Sequence, residues 1–368
     1  MKNKIKNIVT VVISAALIFG LGSWFLFREP VTYSESERRA LSLLPEFSFE
    51  ALLSGDFMAD FEDASPDQFP LRDLFRSIKA YAAKYIFLRM DNNKIFSAEG
   101  HLSKLEYPMK EDKIDSTAEK LNSIYDKYIG DTDAKVYLSV VPDKNCFIAE
   151  DNGYLAFDYD VFAERLYSQV PFAQYIDIKP LLSADDYYTT DTHWKQENIV
   201  DIANKLCSSM GAEFNDIFKE NTIEKPFYGV YYNQSGLNVP TDKIVYLTSD
   251  TINSAVVKNY DTGKEVIKPV YDMKKLETPD LYEMFLSGTV AVSVIENPNA
   301  TEKRELVLFR DSFGSSIAPL MIDSFSKITL VDIRYINSNS LAGIVDFENA
   351  DAVLFLYSTV LLNSYEFQ

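Results

Sequence analysis

The most continuous pattern along the chain is an uncharged apolar run, "IVTVVISAALIFGLGSWFLF", at residues 8–27. Twenty helical residues rise about 30 Å, the thickness of a bilayer's hydrocarbon core. Lys2, Lys4 and Lys6 precede the run, and it ends in the bulky "SWFLFREP" rather than in a small-x-small cleavage site. The pattern predicts an uncleaved anchor with a cytoplasmic tip, together residues 1–28. The lysine bias predicts a single-pass protein of the cell membrane with its bulk outside the cytoplasm.

Beyond the anchor the apolar positions shorten and change period. Residues 29–91 read as helices broken at "LLPEF" and "DQFPLRD", with helical spacing over 71–87. "NKIFSAEGHLSKLE" predicts a hairpin turning at Glu99 and Gly100, which places the start of the main domain near residue 92. Then "KEDKIDSTAEKLNSIYDKYIG" predicts an amphipathic helix stopped by Gly130. The β-branched "AKVYLSVVPDK", a helix near 161–168 and "AQYIDI" follow it. A further helix, opened by Trp194, carries Ile199, Ala203, Leu206 and Met210 on one face. "RELVLFRDSFGSSIAPLMIDSF", "KITLVDIRYI" and "ADAVLFLY" complete the series. Short apolar strands alternating with helices predict an α/β domain over 92–368, with a mainly parallel sheet covered on both faces. Residues 211–299 lack a clear period and read as an irregular insertion that shapes a binding surface.

Charge narrows the function. Setting aside the three N-terminal lysines leaves 33 basic against 55 acidic residues, a balance of about −22 for the exported part. With no basic patch, nucleic acid is excluded as a partner. Only His101 and His193 are present, with no CxxC or HExxH spacing, so no metal site is expected. Asp185 and Asp186 lack a calcium-loop pattern. No cofactor is expected either. Cys146 and Cys207 are compatible with one disulfide or with two buried thiols. The 23 Tyr and 25 Phe suit sugar-facing surfaces as well as ordinary packing.

The candidate chemistry is in "YYTTDTHWKQENIVDIANKL", residues 187–206. In an extended segment, side chains two apart share a side, so Asp191 can orient one nitrogen of His193 while the other faces a nucleophile. Strand "ELVLFR" turns through "DSFGSS" into a helix and presents Ser312 at the carboxyl end of a parallel strand, where open α/β sheets bind ligands. Backbone N–H groups at Ser312 and Gly314 are the oxyanion candidates, and Gly314 would admit substrate close to the backbone. Read singly, Ser312 also suits a helix cap, and His193 a capping histidine beside Trp194. Lys144, Arg334, Tyr231, Tyr232 and Asn233 are candidate substrate contacts. Each also has a bland reading: a solvated loop lysine, a structural ion pair, or packing.

"DTHW" before a helix, with the distal "RDSFGSSIAPLM" and "ITLVDIRY", resembles the DHHW protein family, related to the alginate O-acetylation proteins of the SGNH hydrolase-like superfamily. "ERRALSLLPEFS", "DQFPLRD", "VVPDK" and "FYGVYYNQSG" occur in the family's order. Thr192 stands where the family name has a second histidine, and Arg310 precedes Asp311 where related proteins have Gly–Asp. The resemblance implies a three-layer αβα fold and a triad of Asp191, His193 and Ser312. It implies a membrane-anchored O-acyltransferase, most simply an acetyltransferase, acting on an exopolysaccharide or cell-wall glycopolymer. A membrane-bound O-acyltransferase partner would then hand over the acyl group. A carbohydrate acetylesterase, or an inactive polysaccharide-binding scaffold subunit, is compatible with the same residues.

Overall fold

Residue alternation builds the layers. In the computed structural model, which describes residues 2–34, 37, 39–261 and 264–367, the chain divides into two compact units. One comprises Met1–Asn92 with Tyr232–Asn238, the other Asn93–Tyr231 with Val239–Gln368.

The first unit holds α1 (Lys2–Phe27), α2 (Asp56–Gln68) and α3 (Arg72–Tyr85). Within α1 the 25-residue span Asn3–Phe27 is long and apolar enough to cross a bilayer. Glu37 gathers Arg39, Arg72 and Arg76, and Asp67 accepts from Arg39, which ties the entry to α3 into one charged network.

The second unit opens with hairpin β1 (Ile95–Ala98) and β2 (His101–Lys104), turning at Glu99 and Gly100 as the sequence predicts. Then come α4 (Glu111–Ile124), extended by a wider turn to Ile129 before Gly130, β3 (Lys135–Val141), α5 (Tyr159–Tyr167), β4 (Gln174–Tyr175) and α6 (Val200–Ser209). β5 (Val256–Asp261), β6 (Lys264–Lys268), β7 (Val292–Glu296), β8 (Glu305–Arg310), α7 (Phe313–Met321), β9 (Lys327–Val331) and β10 (Ala352–Ser358) complete it. Among the described residues the main sheet runs β6-β5-β7-β9-β8-β10-β3-β4. From β9 to β4 every pairing is parallel; β7, β5 and β6 add antiparallel strands at the other edge.

Every residue of β8 and β10 is buried, as a strand covered on both faces requires. Leu306, Leu308, Leu354 and Leu356 join one core with α6 and α7. Val307, Phe309, Val353 and Phe355, the alternate positions, join a second core with α4 and α5. The result is a three-layer αβα fold around a mainly parallel sheet. Residues 211–299 are less irregular than their sequence suggests, because they supply β5, β6 and β7. Polar residues interrupt "VVKNYD" and "KEVIK", which masks the strand signal. Cys146 and Cys207 are free thiols, and burial pushes both up to about 12.

Leu308 is fully buried in the first core. Leu308→Ala should cost about 2–5 kcal/mol of stability, read as a lower chemical-denaturation midpoint with an unchanged slope.

Candidate active site

Asp191 and His193 meet through a turn, not the extended segment expected. The chain bends over Asp191, Thr192 and His193. Asp191 Oδ1 accepts the backbone N–H of His193 at 3.1 Å and its ring Nδ1 at 2.6 Å. The second oxygen accepts the Val230 N–H at 2.7 Å. A buried carboxylate is costly unless its oxygens are satisfied, and three N–H donors do this here. A carboxylate only accepts, so Nδ1 carries the ring proton and Nε2 presents a lone pair. Nε2 lies 2.7 Å from Ser312 Oγ, across 119 residues of sequence. Tyr282 stacks on the imidazole at 3.8 Å between centroids, 11° from coplanar, and so fixes the ring plane. The Tyr282 hydroxyl donates to Ser316 Oγ at 2.8 Å, which keeps the phenol in place.

The turn is braced from behind. Asp242 accepts from the Thr189 and Thr190 amides at 2.8 Å each. Thr190 Oγ1 accepts the Gly229 N–H, and the Thr190 carbonyl accepts the Tyr231 N–H. A Cβ at Gly229 would lie 2.3 Å from the Thr190 carbonyl group and 2.5 Å from the Asp191 Cβ, so only glycine fits. Trp194 does not open a helix. It bridges to Tyr187 while its indole donates to Ser316 Oγ at 2.9 Å, and α6 starts only at Val200. The buried indole is fixed in the core there, and a single 3-10 turn, Gln196–Asn198, precedes α6.

Ser312 occupies the turn between β8 and α7. Asp311 accepts the Phe313 amide on one oxygen and both the amide and the hydroxyl of Ser358 on the other. It thereby caps α7 and locks the end of β8 to the end of β10. Ser312 itself caps nothing; its hydroxyl goes to His193. Asp191 is buried, whereas Ser312 and His193 are partly open to solvent.

Several expectations need correction. The Gly314 N–H donates to the Asp311 carbonyl at 3.1 Å and is not free for an oxyanion. Nor does Gly314 admit substrate: a Cβ there would lie 2.5 Å from the Cβ of Arg310, whose buried side chain fills the space. The Ser312 N–H has no acceptor among the described residues. Lys144 is neither a solvated lysine nor a surface contact. It is buried and donates to the carbonyls of Tyr188 and Thr189, at 2.7 and 3.1 Å, just before the Asp191 turn. Burial pushes its ammonium down to about 7, against the opposing pull of Asp242 and Asp191. Tyr231 is buried with its ring 5.5 Å from that ammonium, so it is no glycan platform. Arg334 is held on two nitrogens by the buried Asp332, at 2.8 and 2.6 Å, and is not presented to an anionic sugar. Tyr232 and Asn233 fall in the first unit, where Asn233 accepts from Arg76 and Tyr232 donates to Asn238. His101 is a buried strand residue facing Asp185 at 3.4 Å.

Sequence reading missed Tyr282, Asp242 and the role of Gly229. Gly229 lies in "FYGVYYNQSG", a stretch with a visible signal and no visible reason. Tyr282, in "DLYEMF", carried no signal at all.

Two outcomes follow from this packing. Gly229→Ala should abolish labelling of Ser312 by an active-site acylating reagent while circular dichroism stays native, because the added methyl displaces the Asp191 turn. Glu197, next to this turn, has an oxygen without a partner, and burial pushes its carboxyl up to about 7. Its folded-state value lies above the ordinary one, so the unfolded chain releases the proton first and stability falls as pH rises from about 4.5 through 7. Glu197→Gln should therefore raise the melting temperature at pH above 7 and leave it nearly unchanged near pH 4.

Among known proteins, the DHHW protein family matches residues 179–331. A solved DHHW family protein from Eubacterium siraeum is 23% identical and aligns at a TM-score of 0.55, over 75% of this chain and 94% of that one. Bacillus cereus PatB1, solved with a sulfonyl adduct, is 18% identical at a TM-score of 0.60, over 74% of this chain and 97% of that one. No curated protein matches. At these identities the structural likeness speaks to the fold. Across residues 179–331, which contain Asp191, His193 and Ser312, the chain's resemblance is to the DHHW protein family.

Proposed function

We propose that the protein is a membrane-anchored, extracytoplasmic O-acyltransferase, with acetyl as the group moved and a sugar hydroxyl of an exopolysaccharide or cell-wall glycopolymer as the acceptor. The observation that carries this reading is the continuous relay from Asp191 through His193 to Ser312, with spacings of 2.6 and 2.7 Å. In the first half-reaction His193 Nε2 takes the Ser312 proton as Oγ attacks the acyl carbonyl. The Ser312 N–H faces the developing oxyanion, and Asp191 stabilises the imidazolium. Collapse returns the proton to the departing donor group and leaves acyl-Ser312. In the second half-reaction His193 takes the proton of the sugar hydroxyl, which attacks the acyl-enzyme, and Ser312 regains its proton as the ester leaves.

The partly open positions of Ser312 and His193 support access by a polymer. The apolar run at 8–27 supports anchoring, and the lysines before it support a remainder outside the cytoplasm. Acetyl-CoA is a cytoplasmic metabolite, so in this reading a membrane-bound O-acyltransferase partner supplies the acyl group from across the membrane.

The full chain in detergent, incubated with 4-nitrophenyl acetate, should gain one acetyl group on the peptide containing Ser312, and added oligosaccharide should become acetylated. Ser312→Ala should carry no adduct, and Asp191→Asn should slow acylation by about 10⁴-fold. An adduct that persists in Ser312→Ala would overturn the assignment. Acetate release without transfer to any acceptor would make the reaction hydrolysis.

A further inference from the structure

α3 is an amphipathic helix with the usual arrangement inverted. It packs inward through the small residues Ala80 and Ala83, which are buried, while Leu74, Ile78, Tyr81 and Tyr85 face solvent. These four recur at the spacing of one helical stripe. Ile78 is 53% exposed and Tyr85 63% exposed. The stripe runs on into Ile86, Phe87, Leu88 and Met90, all exposed. Beside it is a cavity of about 730 Å³ lined in part by Ile78, Tyr81, Tyr85 and Leu237. An apolar surface of this extent on a soluble protein marks an interaction site.

The charge around the stripe selects the occupant. In a chain with a formal charge of −19, α3 carries Arg72, Arg76, Lys79 and Lys84 against the single Asp73. Arg72 and Arg76 are taken up by Glu37. Lys79, Lys84 and the following Arg89 make no ion pair among the described residues, and on the helical wheel the two lysines flank the stripe on opposite sides. Protein-binding surfaces are depleted in lysine. Lysines bordering an apolar stripe that contains tyrosines are the signature of a helix lying in a membrane interface, stems along the apolar layer and ammonium groups at the phosphates. The same unit contains α1, whose Phe25 meets Phe61 of α2 edge-on at 6.2 Å, so a bilayer around α1 borders this unit.

We infer that α3 lies in the interfacial layer of the phospholipid membrane crossed by α1, with Leu74, Ile78, Tyr81 and Tyr85 among the acyl chains and Lys79 and Lys84 at headgroup phosphates. This rests on the anchored reading given under Proposed function. It adds a second, in-plane attachment that fixes the juxtamembrane unit to the surface.

The two tryptophans allow a test on the full chain. Trp24 lies in α1 and Trp194 is fully buried in the second unit. The protein is placed in phosphatidylcholine–phosphatidylglycerol vesicles whose acyl chains are brominated near the headgroup, and fluorescence is compared with unbrominated vesicles. In the native chain Trp24 should be quenched and Trp194 should not. In Tyr85→Trp with Trp24→Phe, the new indole should lose as large a fraction of its intensity as Trp24 does. Adding Lys79→Glu and Lys84→Glu should reverse most of that loss, with Trp24 quenching unchanged in the parent. Unquenched Trp24 would remove the anchored reading itself. Quenched Trp24 with an unquenched, water-exposed residue 85 indole would overturn the inference alone. An unquenched but blue-shifted indole would overturn it in favour of a protein partner or a second copy.

Discussion

The carboxylate of Asp191 is the group on which the rest of the site depends. It is buried, and three N–H groups hold it: the ring and the amide of His193, and the amide of Val230. These bonds do separate things. The ring bond fixes the tautomer, so that Nε2 is the basic atom. The two amide bonds fix the carboxylate in the chain, so that the ring cannot swing away from Ser312. A lone buried carboxylate would cost several kcal/mol and would protonate instead. The arrangement exists because the backbone at 190–193 and at 229–231 is folded to supply the donors.

That backbone is expensive to hold in place, and the surrounding buried polar groups show how it is held. Lys144 satisfies the carbonyls of Tyr188 and Thr189 upstream of the turn, Asp242 satisfies the amides of Thr189 and Thr190 at its entry, and Gly229 leaves room for another stretch of chain to press against Thr190. On the Ser312 side Asp311 plays the matching part, joining the ends of β8 and β10 and capping α7. Each half of the site has its own hydrogen-bonded brace, and Tyr282, stacked on His193 and bonded to Ser316, spans them. Preorganisation of this kind lets a relay act without reorganising during the reaction.

The layers were legible because strands buried on both faces read as continuous apolar runs, as "ELVLFR" and "ADAVLFLY" do. The position of Ser312 between β8 and α7 was legible because an apolar strand pattern runs almost directly into a helical one there. Lys144 and Tyr231 were misjudged because a charged or phenolic side chain looks like surface until the chain wraps over it. Gly314 was misjudged for a related reason: a glycine beside a nucleophile suggests room for substrate, whereas here the room belongs to Arg310. The pairing of Asp191 with His193 was correct on a wrong geometric argument, since a bend and not an extended strand brings them together. Contacts made across long stretches of chain, such as Asp242 to Thr190 or Tyr282 to His193, leave no local pattern to read.

The central claim is that the relay is already formed in the resting protein. Only two histidines are present, so proton NMR of the full chain with nitrogen-labelled histidine can isolate His193, with His101→Gln to assign the other. A strong Nδ1–H bond to a buried carboxylate should give a far-downfield proton resonance coupled to one His193 nitrogen, and that resonance should move upfield or vanish in Asp191→Asn. A His193 ring proton with ordinary exchange and shift, unchanged in Asp191→Asn, would contradict the account.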